Sequence, residues 1–193
     1  MFNYFAIPGS TNAKDIEVIE LLAKQVPENG TIVEIGSWAG RSAVAWARNA
    51  HPSVRIYCID LFPDKVEFNT KNMPKNKGII DIVEKKGTLR LWDLFRTVTK
   101  NYPNIIPLRG RCPEEITYDE PIDLLFLDAQ HNNPNDWDII SHHLPLIKPN
   151  GILCGHDHYP RFPAVMENVN RLKDMLNKEP ELYEDSSMWK FTI

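Results

Sequence analysis

Ile122 to Asp128 reads IDLLFLD and Thr31 to Ile35 reads TIVEI, runs in which apolar residues follow one another instead of alternating with polar ones. A strand of that kind is covered on both faces, the condition of a parallel sheet flanked by helices. VRIYCID from Val54 to Asp60, NIIPL from Asn104 to Leu108 and GILCG from Gly151 to Gly155 are of the same sort. Between these runs the apolar period lengthens to that of a helix. Ile16, Ile19, Leu22 and Val26 precede the first strand and SAVAWARNA follows it. Leu91, Leu94, Val98 and Tyr102 precede the third, Trp137, Ile140 and Leu144 the fifth, and Val165, Val169, Leu172 and Leu176 come after the fifth. Strand and helix in alternation make an α/β sandwich. The tail changes period again: Trp189, Phe191 and Ile193 alternate with Lys190 and Thr192 behind the turn residues Glu184 to Ser187, which predicts an antiparallel terminal hairpin.

A chain of 193 residues has room for one core, so residues 1–193 are expected to form a single domain. The stretch Leu61 to Gly87 fits worst, with six lysines, two prolines and weak periodicity, and reads as a lid or insertion. A formal net charge of −4 supplies no long-range attraction for nucleic acid and favours a small-molecule partner. No basic leader and no run of about 20 apolar residues is present, so a cytoplasmic protein without a membrane span is expected. Three cysteines argue against a disulfide framework; Cys58 and Cys154 sit in apolar runs, while Cys112 follows Arg109 and Arg111, whose charge would lower its pKa.

VEIGSWAGRS, Val33 to Ser42, places Glu34 in a strand, Gly36 at the turn and Gly40 at the start of a helix. Glycines there let a ligand approach the backbone. Trp38 stands where the dinucleotide fingerprint needs its second glycine, and no phosphate-binding G-x-x-x-x-G-K-[ST] occurs, so phosphate is not the obvious guest. A carboxylate beside the turn, Glu34, suits an amino-bearing ligand. Asp60, at the end of the second strand, is placed to accept hydrogen bonds from ribose hydroxyls.

This pattern resembles the class I S-adenosylmethionine-dependent methyltransferases over nearly the whole chain, through E-x-G-x-x-x-G at Glu34 to Gly40, the acidic strand end at Asp60 and the final hairpin. FLDAQH followed by GILCGHDHY is similar to the group of macrocin O-methyltransferase and cephalosporin hydroxylase. The resemblance implies a Rossmann-like three-layer sandwich whose seven-stranded sheet is mostly parallel. It implies that Gly36, Ser37, Gly40 and Arg41 line the methionine side of S-adenosylmethionine, that Asp60 holds the ribose, and that Gly110, Arg111 and Cys112 lie near the adenine, with Glu34 and Asp128 also at the cofactor. Relatives often carry an acidic residue in place of Arg111.

In metal-dependent relatives an aspartate after the fourth strand and a pair after the fifth bind magnesium, which the resemblance carries onto Asp128, Asp157 and His158, with His156 as an alternative to His158. A nitrogen ligand would admit manganese, zinc or iron beside magnesium. Methyl transfer to a hydroxyl needs its proton removed, and His131 is the first candidate base, His158 the second, with Asp128 beside them. His142 and His143, neighbours on a helix, read as structural or exposed. The function expected is O-methylation of a small hydroxylated molecule. The rivals are a metal-dependent hydrolase built on His156, Asp157 and His158, a non-haem iron oxygenase, a nicotinamide oxidoreductase and a non-catalytic cofactor-binding protein. The oligomeric state, homodimer included, stays open.

Overall fold

The computed structural model describes residues 2–64 and 90–193; most of the expected lid at 61–87 lies outside the described residues. Seven strands form one sheet: β1 (Thr31–Ile35), β2 (Arg55–Asp60), β3 (Ile105–Arg109), β4 (Ile122–Leu127), β5 (Ile147–Gly155), β6 (Glu181–Leu182) and β7 (Trp189–Thr192). Their order is β3-β2-β1-β4-β5-β7-β6. The first five run parallel, and β7 is antiparallel to both β5 and β6. Helices α1 (Ala13–Ala23), α2 (Arg41–Asn49), α3 (Leu91–Thr99), α4 (Asn135–His143) and α5 (Pro163–Leu176) complete the three layers.

The continuous apolar runs feed two cores, one on each face of the sheet. Ile32, Leu124 and Phe126 point toward α1, α2 and α3, where they meet Leu22, Trp46 and Phe95. Val33, Leu125 and Leu153 point the other way, toward Ile140 of α4 and Val169 and Leu172 of α5. Successive strand residues face opposite sides, so a strand covered on both faces needs apolar side chains at nearly every position. Burying one such side chain contributes about 1.5–3 kcal/mol, which fixes strand register against slippage.

Two elements differ from expectation. Strand β5 begins at Ile147 rather than Gly151, because Lys148, Pro149 and Asn150 interrupt the apolar run without interrupting the strand. A register shift between Ile122 and Leu124 absorbs the irregularity, and the Asn150 N–H bonds the Ile193 carbonyl. The terminal hairpin is present, with a first strand of only two residues.

Candidate active site

The carboxyl ends of β1, β2 and β4 open onto a cavity of about 490 Å³. In open α/β sheets ligands bind beyond those ends, and pockets of about 300–1,000 Å³ hold small organic molecules. Gly36 follows β1 at φ +96°, and a Cβ there would stand 1.9 Å from the Asp128 carbonyl oxygen, so no other residue fits. Asp60 then closes the turn: Oδ2 accepts from the Trp38 N–H at 2.9 Å and Oδ1 from the Phe62 N–H at 2.7 Å. Burial raises its pKa, and those two amides oppose the shift. Gly36, Asp60, Gly110, Arg111, Cys112, Asp128 and His131 all line the cavity, as do Gly9 and Ser10 of the N-terminal segment, which sequence reasoning missed.

Four expected cofactor residues stand behind the cavity wall instead. Glu34 is wholly buried, its Oε1 accepting from Trp46 Nε1 at 3.1 Å and its Oε2 from the Cys58 thiol at 3.4 Å. Burial pushes its pKa up to about 7 against the hydrogen bonds of Ser37, Ser42 and Cys58, so it braces the glycine turn from below instead of presenting a free carboxylate. Ser37 is buried, and Gly40, at φ +90°, opens α2 with its face on Phe95. Arg41 is turned inward: Nε donates to the Ile7 carbonyl at 2.8 Å and Nη1 to the Thr11 carbonyl at 2.7 Å. It thereby ties down the segment that carries Gly9 and Ser10 to the cavity. Burial lowers even this guanidinium, to about 10. Cys112 does line the cavity, but burial, with the charges of Glu114 and Asp119, pushes its thiol up to about 12. Arg109 is engaged with Asp64 at 3.1 Å and does not activate it.

The other half of the site is made of acids and imidazoles. Asp128 follows β4, and Asp157 follows β5 in the left-handed region at φ +63°. His131, also left-handed at φ +57°, brings Nε2 to 2.9 Å from Asp157 Oδ2 and 3.6 Å from Asp128 Oδ1. His156 approaches the same carboxylates from the buried side, its Nδ1 lying 3.3 Å from Asp157 and 3.7 Å from Asp128. Its Nε2 bonds Asp15 of α1 at 2.9 Å.

His158, expected as a ligand or second base, is outside this group. Its backbone N–H is tied to the Ser187 carbonyl at 2.9 Å, and burial lowers its pKa with no carboxylate opposing the shift. His156 is the histidine of the pair that faces the carboxylates. His142 bonds Asp119 at 3.1 Å, and buried His143 donates its Nδ1–H to the Ile139 carbonyl at 2.8 Å.

Charges in this group are strongly coupled. Burial disfavours a charged His156, yet the bonds to Asp15 and Asp157 and the field of Asp128 raise it to about 10. Burial and Asp157 raise Asp128 to about 6, while both imidazoles pull it down. For Asp157 burial acts upward, but hydrogen bonds from His131 and His156 hold it well below the usual carboxylate range. His131 is likewise raised, its burial outweighed by Asp157 and Asp128.

One atom from each of Asp128, His131 and Asp157 lies within 4.8 Å of the others, close enough to ligate a single ion. Two carboxylate oxygens and one imidazole nitrogen suit manganese, iron or zinc better than magnesium, which prefers an all-oxygen shell. A divalent ion replacing the His131 proton would also balance three aspartates against the charged His156. The donor set therefore fits a metal, and the cavity beside Asp60 fits a nucleoside-bearing cofactor. The hydrolase reading is not supported, since His158 stands apart from the cluster of Asp128, His131 and Asp157.

Residues 33–158 match the family described as methyltransferase domain. No curated protein sequence matches the chain. Among solved structures, the O-methyltransferase NovP superposes with a TM-score of 0.66 at 16% identity, over 93% of this chain and 79% of that one. A methyltransferase from Geobacter sulfurreducens gives 0.63 at 14% identity, over 93% and 77%. The calicheamicin methyltransferase CalS11 gives 0.61 at 14%, over 92% and 76%. At such identities these three likenesses are of fold. With the family match covering most of the chain, the protein belongs to the methyltransferase-domain family and is a class I S-adenosylmethionine-dependent methyltransferase.

Proposed function

We propose that the protein methylates a hydroxyl of a small molecule, and that a divalent cation held by Asp128, His131 and Asp157 assists. The observation that carries this reading is that Asp128 and His131 belong at once to the cavity wall and to the candidate metal trio. S-adenosylmethionine supplies an electrophilic methyl on a sulfonium, and a cation in the trio would lower the pKa of an acceptor hydroxyl. The chain's own work is to align the two reactants. Gly36 gives the cofactor access to the backbone, and Asp60, already fixed by two amides, keeps lone pairs for ribose hydroxyls. Asp128 and His131 hold the acceptor oxygen at the opposite wall, at the near-attack alignment an in-line displacement requires. His131 acting alone as base is the weaker reading, because the carboxylates that flank it also retain its proton.

Calorimetric titration with S-adenosylmethionine and S-adenosylhomocysteine tests the cofactor half, before and after chelator treatment. Micromolar binding of both is expected, and Asp60→Ala should weaken it by about 100-fold, the cost of two or more lost charge-assisted hydrogen bonds. Methyl transfer in an acceptor screen should rise on adding manganese(II). Folded protein that binds neither compound overturns the reading.

A further inference from the structure

Asp15 lies in the first turn of α1, on the N-terminal side of the glycine turn in sequence, and is 1% exposed. It completes a capping box, with Oδ2 accepting from the Asn12 N–H at 2.7 Å. A cap needs no more than that. Yet the same Oδ2 also accepts from His156 Nε2 at 2.9 Å, across 141 residues of sequence, and Oδ1 accepts from Ser186 Oγ at 2.7 Å and the Ser187 N–H at 3.3 Å. The carboxylate is saturated with donors from three separate stretches of chain. Because Nε2 is committed to Asp15, the opposite ring nitrogen is turned to the gap between Asp157 and Asp128, at 3.3 and 3.7 Å.

We infer that Asp15 is a positioning residue of the active site: through His156 it orients the Asp128 and Asp157 carboxylates toward the cavity side, making the N-terminal helix part of the transfer machinery. This inference rests on the cation-assisted reading above. Outer partners of this kind set the direction and basicity of ligands, and their removal typically weakens metal binding about 10- to 100-fold. Asp15→Asn keeps the side-chain volume but removes the charge that attracts the imidazole and turns one of the two acceptor oxygens into a donor, so the hold on His156 weakens.

Free manganese(II), counted by electron paramagnetic resonance during titration, reads the effect directly, with S-adenosylhomocysteine affinity by calorimetry as control. Asp15→Asn should weaken manganese(II) binding at least tenfold and leave S-adenosylhomocysteine affinity within about threefold. His156→Gln should reproduce that pattern and stands in if Asp15→Asn does not fold. Ser186→Ala removes a partner of the same carboxylate without touching His156, so it should lower the melting temperature and spare manganese(II) affinity. Wild-type affinity in Asp15→Asn or His156→Gln, with Asp157→Asn losing the ion, overturns the inference and keeps the cation reading. If the wild-type protein binds S-adenosylhomocysteine but no manganese(II), the cation reading falls. The ring-nitrogen resonances of His131 then decide: displacement in Asp15→Asn supports positioning, and unchanged resonances overturn it.

Discussion

The two walls of the cavity are built by different means. On the β1–β2 side, Asp60 and Gly36 are held by backbone: the Trp38 and Phe62 amides bond the carboxylate, and the Gly36 N–H bonds the Ile59 carbonyl at 2.9 Å. Every partner there lies within the β1–α2–β2 unit or just after it. On the β4–β5 side, the carboxylates and imidazoles of Asp128, His131, His156 and Asp157 lie against one another, and the network runs on through His156 to Asp15 on α1. The backbone wall suits a cofactor whose shape does not change from one substrate to the next. The side-chain wall carries charges that compensate one another, which suits chemistry in which a proton or cation comes and goes. Truncating one member of such a buried charged group leaves the others uncompensated, a larger penalty than losing a neutral contact.

The largest effect should come from breaking the side-chain wall. Asp157→Asn removes the 2.9 Å partner of His131 and one carboxylate of the candidate metal trio. Methyl transfer should fall by about 1,000-fold, within the range of a lost metal ligand or acid–base partner, while S-adenosylhomocysteine still binds. A comparable loss of both would mean that the two walls are one unit.

Support beneath the backbone wall should show itself through pH. Glu34 has its pKa raised from 4.5 to about 7 by burial, so folding favours its protonated form. Its contribution is fully present below about pH 4.5 and is lost as pH rises through about 7. Relative to Glu34→Gln, the wild-type protein should therefore lose up to about 3 kcal/mol of stability across that window. Urea denaturation of both proteins at several pH values measures it, and parallel curves would sink the assignment.

The smallest effect is expected at Cys112, which lines the cavity but is held as a thiol by burial. Cys112→Ser should leave the transfer rate within about twofold, since a protonated thiol is neither nucleophile nor metal ligand. A loss of 100-fold would give the backbone wall a chemical role that its geometry does not suggest.

Part of the cavity rim was legible along the chain. Gly36, Asp60 and Asp128 each end an apolar run, and in a parallel sheet the ends of such runs share one edge, so their convergence follows from topology. The same reasoning groups Glu34, Ser37, Gly40 and Arg41 with these residues, and the structure buries all four. Neighbours of a turn in sequence alternate between its two sides in space, and only the fold shows that these four lie behind the wall, with Arg41 holding the N-terminal segment. Strand β5 was read too short because the Pro149-Asn150 pair breaks the apolar signal while β4 still supplies a partner at Ile147.

The sequence by itself determined the layer order, the parallel sheet with its terminal hairpin, and the edge at which chemistry occurs, because hydrophobic period and strand ends are local properties that short segments express. Only the tertiary structure decided that His131, not His158, joins Asp128 and Asp157, and that Asp15 and His156 stand behind them. Those choices depend on left-handed turns at His131 and Asp157 and on a hydrogen bond spanning 141 residues, and no local pattern encodes either. Contacts between distant segments are settled when the packed sheet brings its strand ends and the first helix to one place, where buried charges must be paired.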